Sequence, residues 1–252
     1  MSLKIKNILI TQPKPVEFEK SPYGELARKF NVTIDFHEFI KIEGIQAKEF
    51  RKDRINILDY SAVIFTSRNA VDHFFRICKE MRVEVPDSMK YFSISESTAY
   101  YLQKYVQYRK RKVFHSKENS ANLLELVKKH KAEKFLLPCS DIHKMEIPKM
   151  LEDNKILYKK AVIYRTLASD LSRIDISNYD MFIFFSPSGI ASLKKNFPKF
   201  KQNKTVIGAF GPTTAKAVTD AGLQLHITAP TQTAPSMTMA IELYLQSEMK
   251  KK

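Results

Sequence analysis

The sequence predicts an α/β protein of two similar lobes, each built on a parallel sheet, with two antiparallel strands connecting them. Three observations carry that prediction. Short β-rich apolar runs alternate with stretches of helical periodicity, the pattern of βα units around parallel strands. The chain echoes itself: Tyr60-Ser61-Ala62-Val63-Ile64-Phe65-Thr66-Ser67 matches Tyr179-Asp180-Met181-Phe182-Ile183-Phe184-Phe185-Ser186 in pattern and in several identities. Thr98-Ala99 likewise returns as Thr214-Ala215, both pairs lying about 115 to 120 positions apart. Finally, 252 residues with 44% apolar side chains are enough to bury one large core or two modest ones, so length permits two lobes.

In chain order, strands are expected at 8–11, 32–36, 62–66, 91–95, 112–115, 135–137, 181–185, 205–210 and 225–228. Each is a short apolar run with β-branched or aromatic side chains. Amphipathic helices fill the intervals. After Thr66, for example, Ala70, Val71, Phe74, Phe75, Ile77 and Cys78 recur at helical spacing and form a core-facing stripe. From Met181 onward the chain supplies only about three strands, so the two N-terminal strands complete that lobe. The expected organisation is therefore a discontinuous lobe, 1–38 plus 167–252, and an inserted lobe, 43–160. Residues 39–42 and 161–166 form the connecting strands.

Composition excludes several classes. With 6 Gly and 11 Pro the chain is neither collagen-like nor low-complexity. No run approaches the roughly 18 apolar residues of a membrane span, and Ile8, Leu9 and Ile10 are too short a run for a signal peptide. No membrane association and a cytoplasmic location are expected. Cys78 and Cys139 lack metal-type spacing and read as buried thiols. The 42 Lys+Arg against 27 Asp+Glu give a formal charge of +15, attractive to nucleic acid or to a polycarboxylate metabolite. Basic runs at 109–112, 128–134 and 250–252 carry no interleaved aromatic register.

Dinucleotide, Walker, zinc-protease and hydrolase-elbow patterns are all missing from the sequence. His37, His73, His115, His130, His143 and His226 are dispersed, read as surface or packed residues, and predict no metal site. Chemistry is expected instead at the turns beyond the carboxyl ends of the strands, where open parallel sheets bind ligands. Four such turns stand out: Ser67-Arg68-Asn69, Ser186-Pro187-Ser188-Gly189, Gly208-Ala209-Phe210-Gly211-Pro212-Thr213-Thr214 and Pro230-Thr231-Gln232-Thr233-Ala234-Pro235. Each offers hydroxyls and backbone N–H groups at a helix start, suited either to capping alone or to gripping an anion.

These turns, with Ile8-Leu9-Ile10-Thr11-Gln12-Pro13, Phe65-Thr66-Ser67-Arg68-Asn69-Ala70-Val71, Val162-Ile163-Tyr164-Arg165-Thr166 and Ala229-Pro230-Thr231, resemble uroporphyrinogen-III synthase in order and spacing. The chain departs from the family pattern at Gln12, at Ser93-Ile94-Ser95-Glu96-Ser97-Thr98 and at Pro138-Cys139-Ser140-Asp141. The resemblance implies two flavodoxin-like lobes joined by a two-stranded ladder, with the active site in the cleft between them. It implies cofactor-free cyclisation of hydroxymethylbilane, an octacarboxylate, to uroporphyrinogen III with inversion of the terminal pyrrole, through an azafulvene and a spiro intermediate. Tyr164 takes the place of the family's tyrosine and is the candidate acid. Thr11, Ser67, Arg68, Asn69, Ser186, Ser188, Gly189, Thr213 and Thr214 are the candidate substrate-binding residues. A monomer that does not bind nucleic acid is expected. The alternative is a non-catalytic two-lobed binding or sensor protein for an acidic metabolite or nucleic acid.

Overall fold

The computed structural model describes residues 5–117, 120–143 and 145–250, so Lys251 and Lys252 of the last basic run lie outside the described residues. The chain divides into two compact units, one of Met1–Lys41 with Leu167–Lys252 and one of Ile42–Thr166.

The chain opens with β1 (Asn7–Ile10), α1 (Pro22–Phe30), β2 (Thr33–Phe36), β3 (Ile40–Gly44) and the short α2 (Ala47–Phe50). There follow β4 (Ala62–Phe65), α3 (Arg68–Met81), β5 (Lys90–Ser93), α4 (Glu96–Tyr101), β6 (Val113–His115) and α5 (Ser120–Lys128). Next come β7 (Phe135–Ser140), α6 (Glu146–Asp153) and the long β8 (Tyr158–Ala168). The last third holds β9 (Met181–Phe184), α7 (Pro187–Asn196), β10 (Val206–Phe210), α8 (Pro212–Asp220), β11 (Ile227–Ala229) and α9 (Met237–Lys250). Every strand expected from sequence is present, with ends shifted by a residue or two except at β7, which runs on to Ser140, and at β8, which starts three residues earlier.

Among the described residues, the first unit holds a sheet of order β11-β10-β9-β1-β2 and the second a sheet of order β3-β8-β7-β4-β5-β6. All four pairings of the first sheet are parallel. In the second, β4, β5, β6, β7 and β8 also pair in parallel. Matching β4 to β9, as the sequence echo does, gives β6-β5-β4-β7-β8 the same spatial order as β11-β10-β9-β1-β2. The two units are thus the same sheet entered by the chain at different points, a circular permutation. Counted in its own chain order, the first reads 2-1-3-4-5, the flavodoxin-like order.

The alternation of side chains along each strand divides the core between two faces. In the first unit Ile8, Ile10 and Ile183 meet Leu26 of α1 and Ile241 of α9, whereas Leu9, Phe182 and Phe184 meet Ile190 of α7 and Val218 of α8. In the second, Val63 and Phe65 pack on Val71 and Phe74 of α3, while Ala62 and Ile64 pack on Leu123 of α5 and Leu151 of α6. Gly208 permits close strand packing: a Cβ there would stand 2.5 Å from Ile183 Cδ1 and 3.3 Å from Ile227 Cβ.

β8 differs most from the sequence expectation. Residues 161–166 read as a connector alone, but the strand begins at Tyr158 and pairs with β7 from Phe135↔Tyr158 to Cys139↔Val162. The exposed Lys159 and Lys160 break its apolar pattern and hide its start. The register then shifts between Cys139 and Ser140, which sets Ser140 opposite Tyr164. β3 lies beside β8 in the sheet, with Ile45 N–H donating to Ile163 O at 3.0 Å.

Candidate active site

In the second unit the strand order reverses between β4 and β7, the place where an open parallel sheet forms a crevice. A cavity of about 320 Å³ lies there. Thr66 and Ser67 line it from the end of β4, Cys139 and Ser140 from β7, and Tyr164 from β8. Ile94, Leu137, Ile142, Ile147 and Pro148 supply apolar wall, and His143 and Glu146 reach it from the turn into α6.

Tyr164 is 7% exposed. Its hydroxyl lies 3.3 Å from Ser67 Oγ, which also accepts the Ala70 N–H at 3.1 Å as the N-cap of α3. Burial raises the Tyr164 pKa above the ordinary phenol value, and the Ser67 contact opposes that rise only in part. The phenol therefore keeps its proton at neutral pH. Its ring stacks on His73, with centroids 5.0 Å apart and planes at 20°. Burial, followed by the Arg76 charge, lowers the His73 pKa.

Asp141 ties the carboxyl ends of β7 and β8 together. Its Oδ1 accepts from Ser140 Oγ at 2.8 Å, Ile142 N–H at 2.9 Å and Thr166 N–H at 3.0 Å. Burial acts to raise the Asp141 pKa, but these hydrogen bonds and the Arg165 charge outweigh it and pull the carboxyl below its usual range. His143 Nδ1 lies 2.9 Å from the Ser140 carbonyl, which can only accept, and Lys160 Nζ approaches Nε2 at 3.4 Å. Facing a carbonyl, Nδ1 is the donor of that contact.

The remaining candidates distribute as follows. Arg68 and Asn69 are exposed on the first turn of α3 and do not line the cavity; the Arg68 guanidinium stands 5.4 Å over the Tyr101 ring. In the first unit the strand order reverses between β1 and β9, and Thr11, Ser186 and Gly189 meet there. Ser186 Oγ caps α7 by accepting the Gly189 N–H at 3.2 Å, and Ser188 is half-buried on the same turn. Thr11 is buried, and its hydroxyl donates to Ile183 O at 2.9 Å. Thr213 is exposed whereas Thr214 is 1% exposed, so the adjacent threonines occupy unlike surroundings at the start of α8. Gly211, whose φ of 85° suits glycine, stands at the N-cap of that helix, which has no capping side chain.

Sequence reasoning missed Ser140, His143 and Glu146. The nearest signal was the segment Pro138-Cys139-Ser140-Asp141, where the chain departs from the family pattern; nothing in the sequence pointed to His143 or Glu146. Cys78 and Cys139 are buried free thiols, their pKa values raised by burial to about 12 and about 11. Among the described residues no three His, Cys, Asp or Glu side chains form a group that could hold a metal ion, and no helix is long and apolar enough to cross a membrane.

The family model described as uroporphyrinogen-III synthase HemD matches residues 21–239. The chain belongs to the uroporphyrinogen-III synthase family. It is a lyase of tetrapyrrole biosynthesis that cyclises hydroxymethylbilane to uroporphyrinogen III. No curated protein matches the sequence. Among solved structures, the uroporphyrinogen-III synthetase of Helicobacter pylori is 18% identical with a TM-score of 0.63, covering 96% of this chain and 100% of that one. A mutant uroporphyrinogen III synthase of Thermus thermophilus is 14% identical with a TM-score of 0.59, covering 98% of this chain and 100% of its own. At these identities both likenesses bear on the synthase fold alone.

Proposed function

We propose that Tyr164 is the general acid of the cyclisation, acting in the cavity between the ends of β4 and β7. The observation that carries this is the buried Tyr164 hydroxyl, lining the cavity within reach of Ser67. The pyrrole nitrogen pushes while the phenol protonates the departing hydroxyl, so the C–O bond breaks, water leaves and an azafulvene cation forms. The Ser67 hydroxyl donates to the phenolate as it appears. Attack by the already substituted carbon of the terminal pyrrole gives a spiro intermediate, which fragments and recloses inverted. Proton loss at rearomatisation restores the phenol.

A single general acid contributes about 10²- to 10⁴-fold, whereas orientation can supply roughly 7–11 kcal/mol. Holding the bilane therefore matters as much as the proton. Carboxylates are read as binding at the helix starts carrying Ser67, Arg68 and Asn69, then Ser186, Ser188 and Gly189, then Thr213 and Thr214, with Thr11 bracing the end of β1 against β9. The uncapped start of α8 and the formal charge of +15 support this reading. Residues 39–42 and 161–166 are read as the link between lobes 1–38 plus 167–252 and 43–160, supported by the adjacency of β3 and β8. The chain is further read as a cytoplasmic monomer that uses its charge for carboxylates and not for nucleic acid.

Tyr164→Phe under single-turnover conditions tests the central role. It should lower the rate about 10²-fold or more while leaving product affinity unchanged. Full turnover by that variant would leave Tyr164 as scaffold.

A further inference from the structure

We infer that His73 is a positioning residue for Tyr164, its imidazole held face-on against the phenol by Arg76. The inference rests on the reading of Tyr164 as the acid. The contact between the rings, 5.0 Å at 20°, fixes the plane of a side chain whose hydroxyl has, among the described residues, one hydrogen-bond contact, to Ser67 at 3.3 Å. Arg76 controls that plane from two directions. Its Nε donates to His73 Nδ1 at 3.1 Å, and its Nη2 donates to the Ile163 carbonyl at 3.0 Å, in the peptide directly before Tyr164. One guanidinium thus sets both the backbone that carries the phenol and the ring that faces it.

Arg76 is itself braced. Nη2 also donates to Ile45 O at 2.8 Å and Nη1 pairs with Glu80 at 2.5 Å. Gly44 makes room: a Cβ there would stand 2.6 Å from the guanidinium carbon. Because an arginine Nε can only donate, Nδ1 of His73 must be the unprotonated nitrogen, and the ring is the neutral Nε2–H tautomer. A neutral ring keeps the phenol in place without adding the positive charge that would promote loss of its proton.

Misplacement of a reacting group by about 1 Å can cost 10²-fold, so loss of the facing ring should appear in kcat and not in KM. The test is a double-mutant cycle on hydroxymethylbilane turnover, with thermal melts confirming the fold. His73→Ala should lower kcat about 10-fold with KM changed less than about 2-fold, and His73→Phe, which keeps a flat face, should return kcat to within about 3-fold of the parent. In a Tyr164→Phe background, His73→Ala should have no further effect. If the alanine variant does not fold, His73→Leu replaces it, filling the space without a flat ring. Unchanged kcat in His73→Ala or its leucine substitute, or an equal loss in both backgrounds, would overturn the inference while leaving Tyr164 as the acid. Full activity of Tyr164→Phe alone would instead remove the acid reading on which the inference rests.

Discussion

Ser67 Oγ accepts the Ala70 N–H at 3.1 Å and stands 3.3 Å from the Tyr164 hydroxyl, joining the cap of α3 to the proposed acid. In the proposed mechanism one oxygen serves stability and chemistry together. Ser67→Ala should cost about 1 kcal/mol of stability through the lost cap, seen as a lowered denaturant midpoint. It should also slow turnover by about 10-fold, short of the loss in Tyr164→Phe, because the phenol remains but its phenolate loses a donor. A stability loss with no change in rate would confine Ser67 to capping.

Stability should fall on the alkaline side. Burial raises Cys78 from 9.0 to about 12 and Cys139 from 9.0 to about 11, and it raises Tyr23 from 10.0 to about 12. Between the unfolded and folded values the unfolded chain binds fewer protons, so the unfolding free energy decreases as pH rises. Urea midpoints should be flat from about pH 7 to 8 and decline from about pH 9 upward. Asp72 and Asp141 act at the other end: their lowered pKa values contribute stability above the ordinary 3.8, lost as pH falls through their folded values. A midpoint that held constant through about pH 11 would contradict the burial of these thiols and phenols.

Gly208→Ala should destabilise the first unit by about 1–3 kcal/mol, since the added methyl meets the fully buried Ile183 side chain at 2.5 Å. A thermal melt unchanged from the parent would show that Ile183 relocates freely.

The anion grip predicts a salt-sensitive synthase. Product binding should weaken with added salt and weaken further in Thr213→Ala, while duplex DNA competes poorly at physiological ionic strength. Calorimetric titration in a salt series checks this. DNA binding tighter than product binding, with Thr213→Ala unaltered, would assign the positive charge to nucleic acid.

The repeated strands were legible because their residues are apolar without interruption: 62–65 and 181–184 are buried on both faces. The end of β7 is harder to read, because Pro138 and Ser140 are poor strand formers, yet all six of its residues are buried. Ser67 and Ser186 were legible as helix caps from local chemistry. Thr213 and Thr214 read as a pair, but successive helical residues point about 100° apart, so one meets solvent and the other the core. His73 and His143 looked dispersed because neither partner is set by local spacing. One meets Tyr164 across the fold, and the other is placed by a turn that follows a register shift. Tyr164 itself stood out only through family resemblance, since a tyrosine inside an apolar strand carries no local sign of acid chemistry.

The most direct test is the isomer ratio formed from fresh hydroxymethylbilane by the parent chain and by Tyr164→Phe, resolved chromatographically under single-turnover conditions. The parent should yield uroporphyrinogen III. The variant should turn over about 10²-fold more slowly, so that spontaneously formed uroporphyrinogen I accumulates, with product affinity and thermal stability retained. Uroporphyrinogen III formed by Tyr164→Phe at the parental rate would contradict the acid role of Tyr164.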